Sequence, residues 1–280
     1  MLAAASRGEH VPNELALYSA ETLHQYRQQI DPGVLYQNYQ RDGAREWIRI
    51  MTLEHVPQMK DLVLERRKKK QLGYSTETLA AYLGMADADS VAQYRSLLGA
   101  HPEAQLLAQW ALYRATRDPE YLENLIKRAH EAMGLIPTAN GASPMVAASS
   151  LHYLQITLAP QATSALRAIV TAATPNANIS ALNADRALAG LFYIHQDYGF
   201  VDQTVLDYFA HRKGQKISQD LIMRIAAARN SPELEVAAKN YRASAYEQYF
   251  VDLKDRPVES WIGEYMGDLP IDIVAPIKKR

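Results

Sequence analysis

The residues whose types and spacing come nearest to an active site are His195 and Asp197, within RALAGLFYIHQDYGFVDQTVLDYFAHRKG. A histidine beside a carboxylate is a common acid–base pair. His195, however, continues the i, i+3, i+4, i+7 apolar spacing that begins at Leu188, so it belongs to the buried face of a helix. Asp197 lies about 200° around that helix from His195. The pattern therefore predicts a partly buried histidine satisfied by a backbone carbonyl or a tyrosine, and no catalytic couple.

The other signs of chemistry are incomplete. HEAMG begins at His130 like the zinc-protease motif HExxH, but Gly134 stands where the second histidine ligand is needed. The absence of cysteine excludes disulfides, thiolate catalysis and cysteine-ligated zinc. Asp87 and Asp89, in GMADADS, are candidates for a divalent cation, but capping of a helix that starts near Ser90 is the favoured interpretation. We predict no catalytic residue, no bound metal and no cofactor.

Two basic segments are candidate binding sites for nucleic acid or another anion. ERRKKK ends just before Gly73, where cations complement a helix dipole. Five successive cations exceed that need and span more than one turn, so most must be solvated. PIKKR adds three cations at the C-terminus. RNA, an anionic lipid or an acidic protein surface would suit such a patch. The candidate residues are Arg66, Arg67, Lys68, Lys69, Lys70, Lys278, Lys279 and Arg280.

The stretch STETLAAYLGMADADSVAQYRSLLG, residues 75–99, resembles a helix-turn-helix. Its second helix would carry Ser90, Val91, Gln93 and Arg95 towards bases. Val91 follows Gly84 by seven residues where six is the familiar spacing, and Asp87 and Asp89 would approach phosphates. A structural role for these helices is therefore favoured over DNA recognition.

The elements that would position these residues are helices. Proline follows a capping residue at Asp118-Pro119 and Ser231-Pro232, and glycines including Gly84, Gly99 and Gly134 end apolar runs where a left-handed residue is favoured. Alternation typical of strands is absent, so the sequence predicts an all-α protein. The predicted helices cover 13–29, 32–41, 43–54, 57–72, 76–83, 89–98, 103–116, 119–133, 144–158, 161–173, 180–198, 201–212, 217–229 and 232–253.

The chain divides into an N-terminal arm (1–12), a helical region (13–134), a charge-poor segment (135–179), helical hairpins (180–267) and a C-terminal arm (268–280). From Ala132 to Ala184 the only charged residue is Arg167, yet four prolines and many polar residues exclude a continuous transmembrane helix. The N-terminal arm, MLAAASRGEH, is typical of a short disordered arm, with a mitochondrial presequence as the alternative. The net charge of −1 implies no global attraction to nucleic acid.

The C-terminal arm combines prolines with apolar side chains on a segment too short to form its own core. It is therefore expected to dock on a partner. Its candidate docking residues are Leu269, Ile271, Ile273, Val274 and Ile277.

Three segments share a pattern of an apolar helix, a turn and an amphipathic helix: residues 110–134, 186–214 and 221–248. The last two repeat after about 33 residues, and such units must stack to bury their apolar faces. This pattern resembles the degenerate helical-hairpin repeats of tetratricopeptide and pentatricopeptide proteins, including organellar members. The resemblance implies a short solenoid or an irregular helical bundle, with a binding or scaffolding role.

The leading hypothesis is a non-catalytic structural subunit of a larger assembly, in mitochondria, that binds other protein subunits. The alternative is an RNA- or DNA-binding helical protein, such as an organellar RNA factor, a nucleocapsid-like protein or a helix-turn-helix regulator. An enzyme with a dispersed site comes third, because catalytic residues need not form local motifs.

Overall fold

The fold was taken from a computed structural model, which describes residues 33, 35–37, 51, 56, 58–70, 74–137, 143–211, 216–241 and 247–266. Within these ranges every regular element is a helix and none is a strand, which confirms the all-α prediction. The helices are α1 (Gln58–Lys68), α2 (Tyr74–Tyr82), α3 (Ala88–Ser96), α4 (Pro102–Thr116), α5 (Pro119–Ala132), α6 (Pro144–Gln155), α7 (Pro160–Ala173), α8 (Ala181–Tyr193), α9 (Tyr198–Ala210), α10 (Gln219–Arg229), α11 (Pro232–Tyr241), α12 (Glu247–Lys254) and α13 (Glu259–Met266).

Most predicted helices between residues 57 and 241 agree with the structure within a few residues. The largest error concerns the predicted helix 180–198, which ends at Tyr193 and is followed by α9 from Tyr198. Gln196 lies between them with φ of 51°, a left-handed conformation that a continuing helix does not allow. The helix α13 was not predicted at all. The predicted helices 13–29, 32–41 and 43–54 and both terminal arms lie largely or wholly outside the described residues.

The start and stop signals act mostly as predicted. Helices α5 and α11 begin at the prolines of Asp118-Pro119 and Ser231-Pro232. Gly84 and Gly134 have φ near +69° and +66°, and each follows the last turn of a helix, as predicted. Gly99 does not fit the prediction, because it closes a short 3-10 turn (Leu97–Gly99) and is not left-handed.

Helices α1–α4 belong to the first of two compact units, and the described residues from Pro119 to Met266 form the second. The sequence-based division assigned α5 to the N-terminal region, whereas α5 packs on α6 and α7 of the second unit. In the first unit α4 is the central helix, with eight successive or nearly successive buried positions from Ala104 to Leu112. In the second unit α8 is buried along most of its length.

Helices α6, α7 and α8 are joined by connections of a few residues, so consecutive helices run antiparallel and α6 runs in the same direction as α8. The contacts agree with this order. Gln155, the last residue of α6, donates from Nε2 to the carbonyl of Arg186 on α8 over 2.5 Å. Thr163, in the first turn of α7, contacts His195 just beyond the end of α8.

The close approach of α6 and α8 requires a glycine at position 190. A Cβ atom at Gly190 would lie 2.8 Å from Cγ of Gln155, whose side chain is buried and hydrogen-bonded. We expect Gly190→Ala to lower the free energy of unfolding by about 1–3 kcal/mol, the usual cost of overpacking. Denaturant unfolding followed by circular dichroism would measure it.

Gly263→Ala is the matched control, because nothing lies within 4 Å of a Cβ atom at that helical position. It should be neutral or raise the unfolding free energy by up to about 1 kcal/mol, the helix propensity gain. Equal effects of the two substitutions would contradict the proposed close contact.

Candidate functional site

The structure makes His195 a structural residue. Its Nε2 lies 3.1 Å from the carbonyl oxygen of Gln155, and its Nδ1 lies 2.8 Å from Oγ1 of Thr163. Because a carbonyl only accepts, Nε2 carries the proton, and Nδ1 of the neutral ring accepts from the threonine hydroxyl. The prediction of a backbone carbonyl as partner is confirmed. The sequence predicted that His195 lies within a helix, whereas it lies in the turn that follows α8.

Asp197 does not contact His195 through its carboxylate. Its two oxygens accept from Nε and Nη2 of Arg167 on α7, at 2.5 and 2.6 Å, in a bidentate pair. The hydrogen bond to Asp197 raises the pKa of Arg167. The pair joins the start of α9 to α7 and leaves no acid–base couple between His195 and Asp197.

The environment of His195 predicts a pH dependence. Burial lowers the pKa of His195 below its ordinary value of 6.5, so the folded protein holds this ring neutral. As the pH falls through 6.5, the unfolded chain binds a proton that the folded chain refuses, and stability decreases. We expect His195→Gln to reduce this loss between pH 7 and pH 5, by at most ~1.4 kcal/mol per pH unit. Urea unfolding at each pH would measure it.

His211→Gln is the control, since His211 is exposed. The two substitutions should differ in the slope of unfolding free energy against pH. A slope unchanged by His195→Gln would contradict the assignment of a neutral, buried ring.

His130 is a second half-buried histidine without a partner histidine. Burial lowers its pKa, and a hydrogen bond to the backbone of Ala165 acts in the opposite direction. Its Nε2 is buried and has no hydrogen-bond partner in the described part of the chain. Among the described residues no group of three or more histidine, aspartate or glutamate side chains could hold a metal ion.

The basic run at the end of α1 is divided between a buried ion pair and exposed lysines. Arg67 is only 7 % exposed and donates from Nη2 to Glu77, which is 1 % exposed, over 2.5 Å. Arg67 also donates to Asp89 and to Ser90. Burial opposes its charge, but the hydrogen bond and charge of Glu77 outweigh burial and raise the pKa of Arg67. The guanidinium of Arg67 is therefore occupied by contacts within the protein.

The rest of the basic patch remains at the surface. Lys68, Lys69 and Lys70 are exposed, and Arg66 is partly exposed. Lys69 pairs with Glu65 one turn earlier, at 2.5 Å. The remaining candidates, Lys278, Lys279 and Arg280, lie outside the described residues, as do the arm residues Leu269, Ile271, Ile273, Val274 and Ile277.

The helix-turn-helix candidate has a structural role at its second helix. Asp87 is the N-cap of α3 and accepts from the backbone nitrogen of Ser90 at 3.0 Å and from its hydroxyl at 2.8 Å. These hydrogen bonds lower the pKa of Asp87. The predicted capping role is confirmed. Ser90 is fully buried against Asp87 and Arg67, so it is withdrawn from any base-reading surface.

A further polar network in the second unit was missed from the sequence. Asp185 on α8 is 6 % exposed and accepts from the backbone nitrogen of Ser218 at 2.8 Å. Burial raises the pKa of Asp185. Nearby on α10, Asp220 accepts from the hydroxyl of Tyr265 on α13 at 2.6 Å and pairs with Arg224. These contacts join α8, α10 and α13. The two residues of each contact between helices are far apart in the sequence, so the sequence alone does not predict that they meet.

One exposed surface of the second unit is formed by segments that contain no charged residue. Because α6 and α8 run in the same direction, their first turns lie at the same end of the α6–α8 group, beside the loop that joins α7 to α8. We call this surface the uncharged end. Its exposed residues are Pro144, Met145, Thr174, Pro175, Ala177, Asn178, Ser180, Ala181 and Leu182.

The uncharged end presents both apolar and polar residues and is held by specific contacts. Met145 is 64 % exposed and Leu182 is 49 % exposed, and both are large apolar side chains. Asn176 donates to the carbonyl of Gly134 over 3.2 Å and so ties the α7–α8 loop to the end of α5. Lys216 donates to the carbonyls of Asn176 and Ile179, at 2.5 and 2.9 Å, so its charge is engaged with the backbone of this loop.

No protein-family model, no curated protein and no solved structure matches this chain.

Among the described residues no helix is both long enough and apolar enough to cross a lipid bilayer.

Proposed function

We propose that the protein is a non-catalytic α-helical subunit that binds other proteins through the uncharged end, within a larger assembly. The observation that supports this most is the exposure of Met145 and Leu182 beside a loop whose own residues carry no charge. Apolar exposure with few charges is the composition of the centre of a protein–protein interface. The proposal also includes stacked helical hairpins, because of the sequence resemblance to helical-hairpin repeat proteins. It further includes residence in mitochondria, because of the N-terminal sequence and the same resemblance.

The roles of the polar side chains support the non-catalytic part of this proposal. His195, Asp197 and Arg67 each bond to partners that join two helices. A catalytic group needs access to a substrate, whereas these groups are directed at the protein itself. These contacts stabilise the fold, which is sufficient to explain why the polar side chains are present.

The test is affinity purification of the tagged protein from its own cells, with and without nuclease, followed by mass spectrometry. We expect co-purifying proteins that survive nuclease and are lost with Met145→Glu, because a charge would be buried in an apolar contact. Leu158→Glu is the matched control, since Leu158 is 52 % exposed at the connection between α6 and α7, away from the uncharged end. Co-purification indifferent to Met145→Glu would contradict the proposal.

A second candidate function, binding of nucleic acid, is favoured by the exposed Lys68, Lys69 and Lys70 at the end of α1. Phosphate contacts release counterions, so affinity then falls steeply with salt. Converting these three lysines to Gln would flatten the slope of log affinity against log salt by nearly one unit per lost contact. A shallow slope in the unaltered protein would exclude this candidate.

A further inference from the structure

Two arginines at the end of α4 belong to one face of the helix. This face repeats at i, i+3, i+4 and i+7 and consists of Trp110, Tyr113, Arg114 and Arg117. The guanidinium of Arg114 lies 4.8 Å from the ring centroid of Trp110, four residues earlier. The guanidinium of Arg117 lies 5.8 Å from the ring centroid of Tyr113, also four residues earlier. Each cation therefore rests on an aromatic face, which attracts it but does not neutralise it.

Neither guanidinium forms an ion pair with a carboxylate in the part of the chain that the structure describes. Arg114 makes one hydrogen bond among the described residues, from Nη1 to the carbonyl of Ala81 over 2.8 Å. A guanidinium has about five N–H donors, so most donors of Arg114 have no protein partner. Its Nη2 lies 3.4 Å from the position that a Cβ atom would take at Gly84, an exposed residue. The unused donors are therefore close to the exposed turn that follows α2.

Arg114 differs from the other arginines that are withdrawn from water. Three of those have side chains that are 7, 14 and 17 % exposed, and each pairs with a carboxylate within 2.8 Å: Arg67, Arg224 and Arg229. Arg114 is also partly buried, and burial lowers its pKa. The nearby charge of Arg117 acts in the same direction. The fold thus places two positive charges together, and among the described residues it supplies no carboxylate to either.

Helix termination does not account for this pair. A cation complements the dipole at a helix C-terminus, and the hydrogen bond from Arg114 to Ala81 serves the end of α2 in this way. Arg117 is the C-cap of α4 and has φ of 59°, a left-handed conformation that favours glycine or asparagine. The turn itself therefore gives no reason for an arginine at position 117.

We propose that Arg114 and Arg117 form a binding site for the doubly charged phosphate group of a phosphate monoester. The planar guanidinium presents paired N–H donors whose spacing matches the oxygens of a phosphate. Above its second pKa of ~6 such a group carries about two negative charges, which balance the two arginines. A carboxylate or a phosphodiester carries one charge and would leave one arginine uncompensated. The site lies in the first compact unit and does not depend on the proposed function of the uncharged end.

Isothermal titration calorimetry of the full-length protein at pH 7.5 and low salt would test the site, with methyl phosphate as the monoester and dimethyl phosphate as the singly charged diester. Ligand up to about 20 mM covers millimolar affinities. We expect saturable binding of methyl phosphate, at least ~10-fold tighter than that of dimethyl phosphate, because the second charge is lost in the diester. Acetate should bind as weakly as the diester.

Substitutions assign the binding to the two arginines. Arg117→Gln should raise the dissociation constant of methyl phosphate at least ~10-fold, because a charge-assisted contact is lost. Arg114→Lys should also weaken binding, since lysine keeps the charge but not the paired donors. Arg256→Gln is the matched control, because Arg256 is exposed and belongs to the second compact unit. It should leave the dissociation constant within about twofold, as distant surface substitutions do.

Arg117 is exposed, so the circular dichroism melt of Arg117→Gln should match that of the unaltered protein, and the test remains decisive if Arg114→Lys melts lower. A peptide with one phosphoserine, titrated in parallel, distinguishes a phosphorylated protein from a small molecule as the source of the group, and tighter binding of either supports the site. No saturable binding of methyl phosphate, equal affinity for the diester, or equal weakening by Arg117→Gln and Arg256→Gln would overturn the inference.

Discussion

Replacing Arg67 by Ala is expected to lower the free energy of unfolding by about 3–5 kcal/mol, because it leaves a buried carboxylate without its partner. Glu77 is 1 % exposed and receives two hydrogen bonds from Arg67, from Nε at 3.3 Å and from Nη2 at 2.5 Å. The substitution also removes the contacts of Arg67 with Asp89 and Ser90. Denaturant unfolding monitored by far-ultraviolet circular dichroism would measure the change.

Lys68→Ala is the matched control from the same basic run, since Lys68 is exposed. It should change the unfolding free energy by no more than about 0.5 kcal/mol, as surface substitutions do. The double variant Arg67→Met with Glu77→Leu should recover much of the loss, because an apolar pair of similar size needs no counter-ion. Equal effects of Arg67→Ala and Lys68→Ala would contradict the buried pair.

The basic run shows what sequence alone can and cannot reveal. Met59, Val63 and Arg67 follow i, i+4, i+8 spacing, so the sequence does place Arg67 on the buried face of α1. Five cations in a row nevertheless suggest a solvated surface, and this pattern competes with the spacing of the buried residues. The partner, Glu77, lies ten residues further along the chain, on α2, and nothing local in the sequence links the two.

His195 was predicted correctly as a packing residue, although the helix geometry was wrong. The apolar period runs through Leu188 and Leu191, both buried, as expected from 3.6 residues per turn. The period does not reveal that α8 ends at Tyr193, because Gln196 is not a residue type that favours a left-handed conformation. The carbonyl partner was predictable in kind, but the residue that supplies it, Gln155, follows only from the packing of α6 on α8.

The sequence shows that the uncharged end lacks charge, but it does not show which of its apolar side chains are exposed. The lack of charge from Ala132 to Ala184, apart from Arg167, is plain in the sequence. Because α6, α7 and α8 are joined by short connections, α6 and α8 run in the same direction. The exposure of Met145 and Leu182 at their first turns required the structure, because periodicity alone does not tell which apolar residue lies off the core face.

The helix α13 was missed, and it brings a central aromatic contact into the second unit. Trp261 is 3 % exposed, and its ring is stacked with Phe192 of α8, with centroids 6.1 Å apart and planes 10° apart. Tyr265, one turn later, meets Trp261 edge-on at 6.2 Å. The spacing of Trp261 and Tyr265 is the i, i+4 signal of a helix face, but eight residues are too short for a clear period.

We expect Trp261→Ala to lower the free energy of unfolding by about 3–5 kcal/mol, the cost of removing a buried aromatic side chain and leaving a cavity. Loss of the cation–π contact with Arg224, whose guanidinium lies 5.7 Å from the ring, adds to the effect. Trp261→Phe should cost much less, because it keeps the stacking on Phe192. Glu264→Ala is the control on the same helix, since the side chain of Glu264 is 59 % exposed. Denaturant unfolding followed by circular dichroism would rank the three variants, and a Trp261→Ala protein as stable as Glu264→Ala would show that α13 does not contribute to the core.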